Sequence, residues 1–300
     1  MNKRLTVTIG IPAYNEAIMI NQLLQSLQLQ MQRTIAVESI VVYSDASTDA
    51  TDEVILKHKT MVQLVRSKRR VGKPSLVNRM CQNATTDALI VLDADIVITQ
   101  TDFLEQLVAP LRQMKADLTS AKVRALPAQT ALEKTLAVSM EFKESLFSSY
   151  RSGTTVYTCH GRARAFSRRF YQICQIPADV LADDAYSYLL CRKNGFGYAF
   201  VPEAVCEYRL PNNLADHEKQ SLRFFQGKQQ LDTYFGTEQV NQTYRLPLLV
   251  VLWAAFLTFL KHPYYFSRYV FIVLMSKIAS TKKMSSTSQW PIALSSKKLG

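Results

Sequence analysis

The chain reads as an α/β protein: a doubly wound, mostly parallel sheet flanked by helices, followed by an apolar helical appendage. Three observations lead there. Short apolar runs alternate with segments of helical periodicity through the first 120 or so residues. The run Ile90-Val91-Leu92 has no polar position, the pattern of a strand buried on both faces. Three strand ends carry polar or acidic groups, Asn15/Glu16, Asp45 and Asp93/Asp95, lining up candidate ligands along the carboxyl edge where open α/β sheets bind them.

Residues 5–11 are the first strand. The Met1-Asn2-Lys3-Arg4 start is basic, but the apolar run is short and stops at Pro12, so it reads as a strand rather than a signal peptide. Asn15 is placed to cap a helix over residues 16–30, whose Ile20, Leu23, Leu24, Leu27 and Met31 form one stripe. A second strand, 39–43, ends in Ser44-Asp45-Ala46-Ser47-Thr48-Asp49, where Ser47 or Thr48 would start the next helix. A third short strand, 62–65, leads into the basic run 66–73, and Pro74 suits the first turn of the helix through Leu76, Val77 and Met80. The Asp93/Asp95 strand comes next, then a helix near 101–114 and a strand near 118–123. Helices are expected over 132–150, from Asp183-Asp184 to Asn194-Gly195, and across 220–227. Residues 156–167 read as irregular or strand-like and contain His160-Gly161-Arg162. Two short strands, 197–201 and 204–208, complete the pattern.

A formal charge of +12 calls for an anionic partner: nucleic acid, acidic headgroups or a charged substrate. The five cysteines are odd in number and spread out with no C-x-x-C pair, and the four histidines are scattered. Neither a disulfide framework nor a zinc cluster is indicated; buried thiols in a reducing compartment are the expectation. Residues 246–260 carry no charge, but the run is shorter than the roughly 20 residues a spanning helix needs. A second apolar segment, 264–275, is broken by Arg268. The aromatic density and the flanking Lys261, Lys277, Lys282 and Lys283 suit a membrane surface.

On chemistry alone, Asp93 and Asp95 can offer carboxylate oxygens to a hard divalent cation that shares its remaining positions with water and a diphosphate. The ordered series says more. Ile11-Pro12-Ala13-Tyr14-Asn15-Glu16, the Asp45 segment with Ala46 where glycine is usual, Gly72-Lys73 with Asn78, Asp93-Ala94-Asp95, Asp183-Asp184 and Gln220-Ser221-Leu222-Arg223-Phe224 together resemble the inverting family 2 glycosyltransferases of the GT-A fold. The resemblance covers roughly residues 6–227. Asp183 stands for a usual glutamate, and Phe224 for the tryptophan of the polymerising members, which weakens an argument for processive synthesis.

The resemblance implies a nucleotide-diphospho-sugar donor, a UDP-sugar first among them, and a hydroxyl acceptor on a glycan or lipid-linked sugar of the cell envelope. Asp45 would accept from the base, with Pro12, Tyr14 and Glu16 beside the nucleotide. Lys73 would face the diphosphate, as could Arg69-Arg70, although Lys68 to Arg70 read more readily as a solvated basic face. Asp93 and Asp95 would hold Mg²⁺ or Mn²⁺. Asp184 would be the general base, ranked above His160, with Gly161, Asp183, Gln220, Arg223 and Phe224 on the acceptor side. Residues 1–236 would form the catalytic domain, 237–283 a membrane-associating segment at the cytoplasmic face of the cell membrane, and 284–300 a basic tail. Two other readings compete. A nucleic-acid-binding protein would interleave its basic residues with exposed aromatics on one element, whereas here they are dispersed. A sugar nucleotidyltransferase would need a glycine-rich amino-terminal loop, which is missing.

Overall fold

A computed structural model describes residues 3–280; the 284–300 tail, Lys282 and Lys283 lie outside the described residues. The first half is a βα series: β1 (Leu5–Ala13), α1 (Ala17–Gln28), β2 (Ile35–Ser44), α2 (Thr51–Leu56), β3 (Val62–Arg66), α3 (Lys73–Asn83) and β4 (Ala88–Leu92). After a two-residue strand β5 (Ile96–Val97) come α4 (Phe103–Arg112), β6 (Leu118–Ala125), α5 (Ala131–Ser149), β7 (Ala163–Ser167), α6 (Arg168–Tyr171), α7 (Asp183–Lys193) and β8 (Tyr198–Tyr208). The chain continues as helices α8 (Leu214–Phe235), α9 (Thr237–Tyr244), α10 (Leu248–Lys261) and α11 (Pro263–Ser280).

All eight strands form one sheet in the order β3-β2-β1-β4-β7-β6-β8-β5. Strands β1 to β4 pair in parallel, as expected of β-α-β crossovers. The second half departs from that pattern: β7 runs antiparallel between β4 and β6, and β5 antiparallel to β8. Alternation along β4 divides its side chains between two cores. Ala88, Ile90 and Leu92 pack with α1 and α4 on one face, while Leu89 and Val91 pack with α3, α6 and α7 on the other. Burial of β4 on both faces is what its unbroken apolar run anticipates.

Three local expectations are corrected. The segments 197–201 and 204–208 are one strand, β8; its register against β6 jumps between Ala121↔Val201 and Lys122↔Val205, looping out Pro202 to Ala204. Asn15 does not cap α1: it lies at φ 53, and its Oδ1 accepts from the Thr48 amide at 2.8 Å, tying the loop after β1 to the loop after β2. Helix α2 starts at Thr51, past Ser47 and Thr48, with Asp49 Oδ1 accepting from the Thr51 amide at 3.0 Å. All five cysteines are buried and free.

At the carboxyl end, α9 belongs to the second core through Val240 and Tyr244, and the Tyr157 hydroxyl donates to the Tyr244 carbonyl at 2.7 Å. Helices α10 and α11 lie against α5, Phe266 meeting Phe142 edge-on with centroids 5.4 Å apart. Their outer faces leave Leu249, Trp253, Phe256 and Phe271 more than half exposed. No single described helix is long and apolar enough to cross a membrane; α9 and α10 pass that test only together, with a 41° bend between them.

Candidate active site

The strand ends and the first turns of α3 and α7 open onto a cleft of about 420 Å³. Its left wall is built on Asp45, 3% exposed, at the end of β2. Asp45 Oδ1 accepts from the Val71 amide at 2.7 Å and Oδ2 from the Gly72 amide at 3.0 Å, which fixes the loop entering α3. Gly72 sits at φ 83, a conformation that L side chains rarely adopt. The same loop lays the Arg70 guanidinium 3.9 Å from the centroid of Tyr14, with its Nε 3.9 Å from Asp45 Oδ2. Lys68 and Arg69 are exposed, as a solvated basic face would be; Arg70 is instead drawn into the wall.

At the centre, each carboxylate of the Asp93/Asp95 pair has its own protein cation. Lys73 Nζ is 2.5 Å from Asp93 Oδ1, donates to the Gly161 carbonyl at 3.0 Å and lies 3.9 Å from Asp183 Oδ2. Arg162 Nη1 is 3.1 Å from both oxygens of Asp95, and its guanidinium stacks 3.5 Å from the centroid of Tyr208. Burial pushes the Asp93 carboxyl above its ordinary range, and the neighbouring Asp95 charge adds to this, against the pull of Lys73. The Arg162 guanidinium moves the opposite way from what burial would do: the Asp95 and Asp93 carboxylates hold its proton more firmly.

On the right, α7 presents two carboxylates with different surroundings. Asp183 is 1% exposed and ion-paired to the fully buried Arg164, which also donates to the Asp183 carbonyl at 3.1 Å and to Ser187 Oγ at 3.0 Å. Burial alone would raise the Asp183 pKa; the charges of Lys73, Arg164 and Arg223 outweigh it and hold the group ionised below the ordinary range. Asp184 faces the cleft, its Oδ2 accepting from the Gly161 amide at 3.1 Å. A Cβ at Gly161 would lie 3.3 Å from both Asp184 Oδ2 and Lys73 Nζ, so a side chain there would crowd the two groups. His160 is driven down to about 4 by burial, which outweighs the Asp184 carboxylate. From α8, Gln220, Arg223 and the half-exposed Phe224 close the remaining side.

The matches to known proteins bear on this cleft. A profile described as Glycosyl transferase family 2 matches residues 8–172, more than half of the chain. The chain belongs to that family. It carries a glycosyl transferase family 2 domain, and its α/β sheet with helices on both faces is the fold of its solved relatives. A mannosyltransferase from Pyrobaculum calidifontis, solved with GDP-Man and Mn²⁺, has a TM-score of 0.59 at 21% identity over 95% of this chain and 77% of its own. Glucosyl-3-phosphoglycerate synthase from Mycobacterium tuberculosis, solved with Mn²⁺, UDP and phosphoglyceric acid, gives 0.54 at 17% over 77% and 79%. Among curated proteins, the poly-beta-1,6-N-acetyl-D-glucosamine synthase of Staphylococcus aureus is 23% identical over 283 residues, 90% of this chain. The chain therefore spans about 63% of the length of that relative.

Of the residues singled out from the sequence, Pro12, Tyr14, Glu16, Asp45, Lys73, Asp93, Asp95, Gly161, Asp183, Asp184, Gln220, Arg223 and Phe224 line this one cleft, while Arg69 is exposed and Asn78 hydrogen-bonds the Ile176 backbone instead. Sequence reasoning missed Arg162, Arg164 and Tyr208 as site residues, although Arg162 directly follows Gly161. For a metal, the chemistry of the donor set is the test. Among the described residues no group of three or more Asp, Glu, His or Cys is placed to hold one, so an all-protein cage is not on offer. Two carboxylates at an open edge do fit a hard cation that keeps waters and takes its other ligands from a diphosphate. The lining carries six carboxylates against four cations, and with the buried Arg164 paired to one of the six, Asp183, the cleft still keeps a net negative charge.

Proposed function

We propose that this glycosyltransferase moves a sugar from a nucleotide-diphospho-sugar, a UDP-sugar first among candidates, to a hydroxyl acceptor with inversion, in cell-envelope glycan or glycolipid synthesis. One observation carries the reading: an aromatic and acidic wall (Tyr14, Arg70, Asp45), a centre with a lysine beside two carboxylates (Lys73, Asp93, Asp95) and a cleft-facing carboxylate (Asp184) share one cleft. The complexes of the solved relatives with GDP-Man or UDP and Mn²⁺ support a donor of this class and a divalent cation, Mg²⁺ or Mn²⁺.

In this reading the base lies against Tyr14 and Pro12 and hydrogen-bonds Asp45, with Glu16 nearby. Asp93 and Asp95 hold the cation, which when bound neutralises charge developing on the leaving diphosphate. Lys73 turns from Asp93 toward the diphosphate oxygens. Asp184 is the general base: inversion needs the acceptor hydroxyl to lose its proton on the face away from the leaving group, and general-base catalysis is worth roughly 10²–10⁴-fold. The Gly161 amide fixes the Asp184 carboxylate. The Asp183–Arg164 pair supports an orienting role for Asp183 rather than acceptor contact. Gln220, Arg223 and Phe224 take the acceptor. His160, held neutral by burial and beside the same carboxylate, is left to shape the wall.

The exposed apolar faces of α10 and α11 support contact with the cytoplasmic membrane surface, delivering a lipid-linked acceptor. Because Val240 and Tyr244 sit in the core, we put the start of that segment at Leu248 rather than at residue 237. The test of the central assignment is Asp184→Asn. Transfer should fall by roughly 10²–10⁴-fold, while UDP binding in the presence of Mn²⁺, measured by calorimetry, stays near wild type. Loss of nucleotide binding in a folded Asp184→Asn protein would overturn the assignment of roles.

A further inference from the structure

A second cavity, about 440 Å³, lies at the opposite end of α7 from Asp183 and Asp184, between the turn after α5 and helix α9. Among the described residues, its walls hold two guanidiniums, Arg151 and Arg192, and no carboxylate. The remaining polar groups are hydroxyls and amides, among them Thr155, Tyr188, Gln239 and Thr243. Thr155 is 4% exposed, and its hydroxyl has no hydrogen-bond partner among the described residues. A buried hydroxyl without a partner is costly, and a ligand oxygen would relieve it. Tyr188 lines the same cavity as both arginines; burial pushes its phenol up, and the charges of Arg192 and Arg151 act against that. Arginines around hydroxyl donors, with no competing acid in the walls, match a phosphate group in charge and geometry.

We propose that this cavity binds a phosphate-bearing ligand at a site separate from the transfer cleft. Arg192 lies about 12 Å along α7 from Asp184, a distance set by eight residues of helical rise. Helix α9, which supplies Gln239 and Thr243, is the first half of the bent pair it forms with the apolar α10. The phosphate is therefore either that of an anionic lipid headgroup met at the α10 surface or that of a soluble phosphorylated compound. The shared chemistry is a phosphate oxygen against Arg151, Arg192 and the Thr155 hydroxyl.

The full chain separates the two sources. Inorganic phosphate is titrated calorimetrically, and flotation is measured with phosphatidylcholine vesicles with and without phosphatidylglycerol. The Arg151→Gln/Arg192→Gln protein should lose about ten-fold or more in phosphate affinity, or in the phosphatidylglycerol-dependent part of flotation. A cleft variant, Arg70→Gln/Arg223→Gln, should keep the part of each signal that the Arg151→Gln/Arg192→Gln protein loses. Loss confined to vesicles identifies the headgroup; loss with free phosphate identifies a soluble ligand. Thr155→Val, which keeps the side-chain shape, should weaken the same binding yet raise the melting temperature of the free protein; it carries the test if the double variant does not fold. The proposal is overturned if the pocket variants bind phosphate and vesicles as wild type does, or if the cleft variant alone causes the loss.

Discussion

Lys73→Gln separates two things that Lys73 does in the cleft. In the free protein its ammonium is the counter-ion of Asp93, at 2.5 Å, while also donating to the Gly161 carbonyl at 3.0 Å. In the proposed complex it faces the diphosphate, so nucleotide binding loses a charge-assisted hydrogen bond in the variant. Such bonds are worth roughly 1.5–3 kcal/mol, or about 10- to 150-fold in UDP affinity with Mn²⁺ present. Mn²⁺ alone should respond in the opposite sense. To reach Asp93 in the wild type, the ion must first dislodge the ammonium. Because Lys73 retains the Gly161 carbonyl and the Asp183 carboxylate as partners, that displacement costs only part of the bond, about 0.7–1.4 kcal/mol. Removing the competitor should therefore tighten Mn²⁺ binding in the absence of nucleotide by about 3- to 10-fold. Electron paramagnetic resonance of free Mn²⁺, with and without UDP, reads both numbers, and near-ultraviolet circular dichroism checks the fold. If Lys73→Gln weakens Mn²⁺ binding, or leaves the UDP affinity unchanged, Lys73 is not exchanging partners between Asp93 and the diphosphate.

Three further perturbations test other parts of the structure. Ala46 stands at φ 58, where an L side chain costs roughly 1–2 kcal/mol, partly offset by the roughly 0.4–1 kcal/mol that glycine's unfolded freedom costs. Ala46→Gly should raise the melting temperature by about 1–3 °C, and a decrease would show that the left-handed turn is not strained. His160 titrates at about 4 in the folded chain against 6.5 unfolded, so between those values the unfolded state binds the extra proton. Its contribution is fully present above pH 6.5 and is lost as the pH falls toward 4, about 2 kcal/mol by about pH 5. Denaturant titrations of His160→Gln should show a correspondingly flatter decline over that window, and an unchanged slope would mean the imidazole is not held neutral. On α10, replacing the exposed Leu249, Trp253 and Phe256 together with serine should cut vesicle flotation by more than about ten-fold, since each buried side chain is worth roughly 1.5–3 kcal/mol; unchanged flotation would exclude this face as the contact.

The parts of the molecule legible in the sequence divide from the rest along physical lines. The βα series could be read because the strands at its centre, above all β4, are parallel and covered on both faces, and an apolar run such as Ile90-Val91-Leu92 carries that burial openly. The loops were less accessible. Asn15 has the residue type of a helix cap, but it is used for a bond to the Thr48 amide 33 positions away, and spacing along the chain cannot reveal that partner. The single strand β8 looked like two because Pro202 has no amide hydrogen and is looped out of the ladder, which resembles a turn. In the site, Asp45, Asp93 and Asp95 were found by their positions at strand ends, and Asp183 and Asp184, in the first turn of α7, through the family resemblance. Their cations were not: Arg162 reaches Asp95 across 67 residues, and Arg164 is a charged residue inside a strand whose partner, Asp183, lies on a helix.

The direction of β7 explains why those cations arrive where they do. A parallel strand brings its carboxyl end to the ligand edge, so β1, β2 and β4 deliver Tyr14, Asp45 and Asp93 from the residues just past each strand. β7 is antiparallel to β4, with Leu92 opposite Ala163, so it delivers the residues that precede it. The Asp93 amide continues the ladder to the Arg162 carbonyl at 2.7 Å, which sets Gly161 and Arg162 directly beside the two carboxylates. Two residues into the strand, Arg164 points to the helical face and meets Asp183, tying the start of α7 to the sheet. That places Asp184 against the Gly161 amide. One reversed strand thus supplies Arg162 to Asp95, a carbonyl to Lys73 and an amide to Asp184. A rearrangement of the 160–164 segment would disturb the diphosphate side and the proton-accepting side of the cleft together.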